Sequence, residues 1–393
     1  MITHDNTHAR PNYLKYLNKK KVLTYIRDSE GQSRASISKA LNISKPTVSN
    51  IVEELLKEGW ITEKESTFAS ASGGRKPYRL YFNRNAKYIV GIDIGGTSTD
   101  VGIMNLEGEL VSLKQLSTQE YVQDDFTSAI SSEVSRLIQK CGLSHKHIMA
   151  VGVGVPGITD VRNGAVFEAP SLGWKNYPLR DRLSEQLPLP VYVDNDVNVA
   201  VLGEQWKGAA KSKQNVILIT LGTGVGCGII LNGRLYRGSS FAAGEIGYMI
   251  TDKKRAEAYD PVFSGYGFLE SHVGGPSIVK KMADTQPERR QWTAKDTFQA
   301  AMQGDELALN AVDEAVSHIA VALVNVIALF NPECVVLGGG ISKSGAWFLP
   351  KIRGFIEKHL PFVTDVYVTH LEHVSLIGAA ALCLREHDSP LKP

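Results

Sequence analysis

Apolar positions near the start of the chain recur at helical spacing in three places. Val22, Leu23 and Ile26 form a first stripe of period 3.6. Ile37, Ala40 and Leu41 form a second, behind Ser33, whose side chain suits a helix N-cap. Asn42-Ile43-Ser44 predicts a tight turn, with Ser44 capping a third helix that tolerates Pro46 in its first turn. That helix turns Val48, Ile51, Val52, Leu55 and Leu56 inward and ends at Gly59. Residues 61–67 and 78–82 read as two strands. Three short helices and a hairpin make a winged helix-turn-helix. From Tyr88 the pattern changes to buried-strand runs broken by glycine. Residues 89–94 lead through Gly95-Gly96-Thr97 into a strand ending at Met104, and residues 105–109 close a hairpin. The same unit returns at 216–235, around Gly222-Thr223-Gly224-Val225-Gly226. The repeat predicts an α/β body of two halves built on one plan, their glycine turns facing each other across a cleft.

Composition adds limits. The chain has 393 residues, 43% hydrophobic and 21% charged, which predicts two to four globular domains and rules out a largely disordered chain. No uninterrupted apolar run approaches the roughly 18 residues of a membrane span. The polar N-terminal stretch lacks the apolar core of a signal peptide, so the expectation is a cytoplasmic protein. Cys141, Cys227, Cys334 and Cys383 are scattered without a CxxC pair, in keeping with a reducing compartment.

The net charge of +2 conceals a division. Residues 1–86 hold 15 of the 43 lysines and arginines but only 8 of the 41 acids. A basic head of residues 1–86 on an acidic body of residues 87–393 suggests that the head meets a polyanion. Lys45, Thr47, Ser49 and Asn50 face outward at the start of the third helix, small, polar or basic as a major-groove reader requires. Glu53, Glu54 and Glu58 come only later. Between the wing strands, Ser-Gly-Gly-Arg-Lys-Pro places Arg75 and Lys76 where a narrow minor groove would attract them. The partner predicted is double-stranded operator DNA. The alternative is a solvated basic face, or a helical module for another protein.

In the body, the glycine turns offer backbone N–H groups to phosphate, and Asp93 can organise a Mg²⁺ hydration shell. Either turn alone is ordinary hairpin chemistry. The set is more specific: Asp93-Ile94-Gly95-Gly96-Thr97, Gly154-Val155-Pro156-Gly157, Asp194-Asn195-Asp196-Val197-Asn198, Leu221-Gly222-Thr223-Gly224 and Leu337-Gly338-Gly339-Gly340 follow in this order. Over residues 88–388 this resembles the ROK family of sugar kinases and sugar-responsive repressors, and the head resembles that of its repressor branch. The resemblance implies an actin/hexokinase-like duplicated body, a monosaccharide effector between the lobes, and a homodimer or higher homo-oligomer. It implies that Gly157, Asn195, Asp196, Glu245 and Glu270 bind sugar. Asp196 matches the kinase general base, with simple hydrogen bonding to sugar as the alternative. Nucleotide would meet Asp93, Gly95, Gly96, Thr97, Gly222, Thr223, Gly224, Gly338 and Gly339. Trp174 could stack on a pyranose or pack in the core.

Departures from the family are equally informative. Tyr248 stands where members commonly carry a zinc-binding histidine, and residues 249–270 contain no cysteine. No structural zinc and no required cofactor are expected, with Tyr248 filling the histidine's volume and His318 packed or at the surface. Neither His272 nor any other nearby residue is expected to rebuild a ligand set. Ser98 replaces a lysine common among kinases. The expected protein is therefore a repressor rather than an enzyme, with Mg-ATP relevant only to a kinase or bifunctional alternative.

Overall fold

A computed structural model describes residues 9–65, 78–122, 125–263 and 265–392. The head packs helices Ala9–Asp28, Arg34–Leu41 and Lys45–Lys57 against antiparallel strands β1 (Ile61–Glu65) and β2 (Tyr78–Phe82). Its local chemistry follows the sequence. The Ser33 hydroxyl accepts from the Ser36 backbone in a capping box, Asn42 closes the second helix at φ 52°, and the Ser44 hydroxyl accepts from the Thr47 backbone. Two expectations change. The first helix runs to 20 residues, and Ala40 is exposed, because the second helix spans 8 residues and buries only Ile37 fully.

The first lobe holds strands β3 (Tyr88–Ile94), β4 (Ser98–Asn105), β5 (Leu110–Ser117) and β6 (Ile148–Val155). Beside them lie a small sheet of β7 (Ile158–Asp160), β8 (Ala165–Ala169) and β9 (Trp174–Tyr177), and β10 (Val191–Asn195). The second lobe contains β11 (Val216–Leu221), β12 (Val225–Leu231), β13 (Arg234–Leu235), β14 (Cys334–Gly338) and β15 (Asp365–Val368). The two five-stranded sheets, ordered β10-β6-β3-β4-β5 and β15-β14-β11-β12-β13, match strand for strand. In each, the leading strand pairs antiparallel on one side and parallel on the other. The duplication read from the glycine turns is thus a duplication of topology.

Helices Asp196–Lys207 and Val374–Glu386 cross between the lobes, close enough that side chains are excluded at the crossing. A Cβ on Gly378 would lie 1.7 Å from the Val199 carbonyl oxygen, and one on Gly203 2.5 Å from that of Val374. The Glu306–Phe330 helix is long and apolar enough by composition to cross a membrane, yet its apolar face packs into the second-lobe core with Ile217, Leu337 and Phe348.

The head is not suspended on a linker. Val22, Ile51, Trp60 and Leu80 belong to one apolar cluster with Met149, Leu376, Cys383 and Leu391 of the body. Polar contacts reinforce it: the Tyr16 hydroxyl bonds Asp388 and the Ser389 carbonyl at 3.2 Å, and Asn105 Nδ2 donates to Asn85 Oδ1 at 3.3 Å.

Candidate functional site

On the head, the third helix divides into two halves. Glu53, Glu54 and Glu58 are drawn back by Arg34, Lys15 and Lys19, at 3.6, 2.6 and 2.5 Å. Lys45 and Asn50 are exposed and Ser49 half-buried, and all three side chains lack a hydrogen-bond or ion-pair partner among the described residues. Thr47 is engaged differently, its hydroxyl lying 2.7 Å from that of Ser44. The first turn therefore presents donors and a cation, while the acids behind it are neutralised. Arg75 and Lys76 lie outside the described residues. If this face reads DNA, Asn50→Ala should weaken specific binding by about 1–3 kcal/mol. Lys45→Ala should lower the salt slope by about one. Fluorescence anisotropy against operator and random duplexes at several salt concentrations separates the two effects.

In the body, four carboxylates converge between the lobes. Asp93, next to last in β3, pairs with Gly154, where a Cβ would lie 3.8 Å from Asp93 Oδ1 and 3.4 Å from the Asp196 Cα. Asn195 and Asp196 begin the Asp196–Lys207 helix. Asn195 Oδ1 accepts from the Val197 and Asn198 backbones at 2.9 and 3.1 Å, and its Nδ2 donates to the Gly157 carbonyl at 3.1 Å. Gly157 has φ +92°, with the Glu168 carbonyl so close that a Cβ would meet it at 2.0 Å. Glu270 Oε1 accepts from the Val225 N–H at 2.9 Å, directly beneath Gly224. Glu245 precedes the short turn Ile246–Tyr248 and keeps only part of its surface in solvent.

These acids perturb one another. Burial pushes the Asp93 carboxyl up to about 7, aided by the charges of Asp196 and Asp100. Burial pushes Asp196 up to about 6, opposed by the Val197 N–H. Glu245 is raised by burial and by Asp196 and Glu270, and Glu270 is raised by burial against its backbone bonds. Such a site favours ligands that bring hydroxyl protons to carboxylate acceptors.

The residues expected to meet nucleotide are only partly gathered. Gly222 and Thr223 line a cavity of about 1220 Å³ with Gly275, Trp292 and Gly340. Gly224 instead abuts Glu270, while Gly338 ends β14 and Gly339, at φ +84°, closes on Leu221. The Gly95–Gly96–Thr97 turn belongs to the other lobe, with Gly96 packed on Ser171.

Two sequence readings need correction or choice. Tyr248 does not fill a vacated volume: it is 62% exposed, and its hydroxyl donates to the Gly265 carbonyl at 3.3 Å. A tyrosine is satisfied at a rim, where its ring stays partly wet and its tip finds a carbonyl. Trp174 is core, 7% exposed, stacked on Tyr177 at 4.1 Å and edge-on to Phe126. In the segment after Tyr248, tyrosines tie the described residues together: Tyr259 donates to the Tyr266 carbonyl and Tyr266 to that of Thr223.

Sequence reasoning also missed Arg237. It binds the buried Asp194 through Nε and Nη2, both at 2.7 Å, and reaches Glu386 at 3.5 Å. Asp194 in turn accepts from the Asn195 N–H and from Asn198 Nδ2, so this ion pair orders the loop that presents Asn195 and Asp196. No local sequence pattern signalled it.

A two-lobed body with an acidic cleft, joined to a winged DNA-binding head, defines the class of this protein. The ROK family model matches residues 89–386, and a winged helix-turn-helix DNA-binding model matches residues 17–62. The chain belongs to the ROK family. It is 32% identical to the xylose repressor of Caldicellulosiruptor bescii, over 91% of this chain and 92% of that one. It is 35% identical to the glucokinase of Halalkalibacterium halodurans, over 71% of this chain and 88% of the enzyme. Its fold matches the crystal structure of a ROK family transcriptional regulator, a homologue of the Escherichia coli MLC protein, with a TM-score of 0.80, 24% identity, and coverage of 94% and 96% of the two chains.

Proposed function

We propose that the protein is a sugar-responsive transcriptional repressor whose winged head binds operator DNA and whose cleft takes a monosaccharide. The observation that carries this reading is that Asn195, Asp196, Glu245 and Glu270 gather at the start of the Asp196–Lys207 helix, which crosses the Val374–Glu386 helix that shares its core with the head. Sugar shifts DNA affinity only if it binds one lobe arrangement better than the other. The crossing supplies a path: closure on sugar moves the Asp196–Lys207 helix against the Val374–Glu386 helix, and the head follows. Two heads on a two-fold homodimer require a palindromic operator with half-sites in helical phase. No cofactor is required for this activity.

Thermal shift over a panel of monosaccharides, followed by operator binding with each hit, tests the proposal. Xylose comes first, because it appears in the name of a relative similar over both domains. A sugar that raises the melting temperature and changes operator affinity supports the reading, and absence of any shift defeats it. The pH dependence is a sharper check. An ionised carboxylate accepts from sugar hydroxyls more strongly than a protonated one, so binding governed by ionised Asp196, whose carboxyl is raised to about 6, should tighten up to roughly tenfold between pH 5 and 8 in calorimetry. Stability runs the opposite way. Asp93 and Asp196 titrate above their unfolded value of about 4, so stability should fall as pH rises from about 4 to 6–7 and level off above that.

A kinase reading is favoured by one observation, the cavity of about 1220 Å³ beside Gly222 and Thr223. In that reading Mg-ATP supplies a phosphoryl group, and Asp196 accepts the proton of the attacking hydroxyl. It requires aldose-dependent ATP turnover that Asp196→Asn abolishes. Ser98, in place of the lysine, weighs against it.

A further inference from the structure

We propose a metal site at His272, Glu314 and His318, suited to a borderline divalent ion of the Zn²⁺ class. One ligand atom from each residue lies within 4.8 Å of the others. Glu314 and His318 are one turn apart on the Glu306–Phe330 helix and share a face. His272 reaches them from the short Glu270–Val273 turn, its ring centroid 4.3 Å from that of His318.

The hydrogen bonds prepare both imidazoles. His272 Nδ1 lies 2.7 Å from the Phe268 carbonyl, which can only accept, so Nδ1 carries the proton and Nε2 keeps its lone pair. His318 Nδ1 lies 2.6 Å from the Thr251 hydroxyl, which can accept from it; with the proton on Nδ1, Nε2 is free for the ion. Outer hydrogen bonds of this kind orient metal-binding histidines. Beside them a cavity of about 340 Å³, lined by His272, Glu314, Ser271 and Ser277, leaves room for water at an open coordination position.

Glu314 already pairs with Arg255 and Lys281. Both cations are about half exposed, at 49% and 47%, so they can turn to solvent as the ion takes over their charge. Asp252 already pairs with Arg255 and keeps it, and Asp284, on the cavity wall and paired with Lys280 at 2.7 Å, is the acid along that wall left for Lys281 to share. Two imidazoles with one carboxylate select Zn²⁺, Ni²⁺ or Cu²⁺ over Mg²⁺ and Ca²⁺, which take oxygen shells. This set is separate from the family zinc position and revises the expectation that nothing near His272 completes a ligand set. The completing residues lie far along the chain, beyond any spacing motif. An ion here would tie Glu270's turn to the long helix.

The test uses the full chain, stripped with chelator, desalted and titrated with Zn²⁺ or Co²⁺. One equivalent of Zn²⁺ should survive desalting and raise the melting temperature, where Mg²⁺ does neither. Co²⁺ should give a visible d–d band without a thiolate charge-transfer band. His272→Gln and Glu314→Gln should each weaken Zn²⁺ binding at least tenfold; both residues are partly exposed, and circular dichroism confirms that the variants fold. No retained Zn²⁺, unchanged retention by both variants, or a cobalt–thiolate band placing the ion on a cysteine would each overturn the proposal.

Discussion

Arg237→Met should cost about 3–5 kcal/mol of folding stability, the penalty for leaving a buried charge without its partner. Asp194 is 1% exposed, and burial already raises its pKa against the pull of Arg237. Methionine keeps the stem of the arginine and removes both 2.7 Å contacts to the carboxylate. Asp194 then rises further above its unfolded value, so the deficit should narrow as pH falls and the carboxyl protonates. Denaturant unfolding at pH 8 and pH 5 measures both terms. Asp194→Asn in the methionine background should recover much of the loss, because it removes the stranded charge while an amide can still meet the Asn195 N–H. Equal stability of Arg237→Met and wild type would show that the pair orders nothing. Effector binding should weaken in the same variant, since Asp194 holds the loop bearing Asn195 and Asp196.

The second large effect concerns the helix crossing. Gly378→Ala puts a methyl where the Val199 carbonyl oxygen is 1.7 Å away and its carbon 2.3 Å away. Those atoms are backbone, so no rotamer change relieves the overlap and the helices must part. Overpacking costs about 1–3 kcal/mol when side chains can yield, and this case should reach or exceed that range. Gly354→Ala is the matched control: it lies inside a helix with nothing within 4 Å of its Cβ position. There alanine should stabilise by about 0.5–1 kcal/mol. Chemical denaturation of both variants decides the matter. A Gly378→Ala protein as stable as its Gly354→Ala counterpart would mean that the crossing is looser than described.

Much of the architecture was legible because it rests on local chemistry. Ser33 and Ser44 announced their helices by capping, and the glycine turns at 95–97 and 222–224 announced the duplicated sheets. The cleft carboxylates were legible only through family spacing, since their convergence joins four distant segments. What escaped was long-range pairing. Asp194 and Arg237 are 43 residues apart, and neither residue has a local pattern that predicts the other. Ala40 and Trp174 show the complementary limit: periodicity and residue type give a choice of faces, and packing partners decide between them. Gly224 fitted a phosphate turn, yet its missing side chain makes room for Glu270.

The apolar cluster shared by the head and the closing helix bears on how such proteins can be recombined. Cutting the chain near residue 86 would strip cover from Met149, Leu376 and Leu391 on one side and from Val22 and Trp60 on the other. Each fragment would then carry a greasy scar. Chimeras that trade this head for another specificity must therefore recut both halves of that interface. Diversification of the operator sequence is cheapest by substitution within the third helix, since whole-module exchange is penalised by the seam.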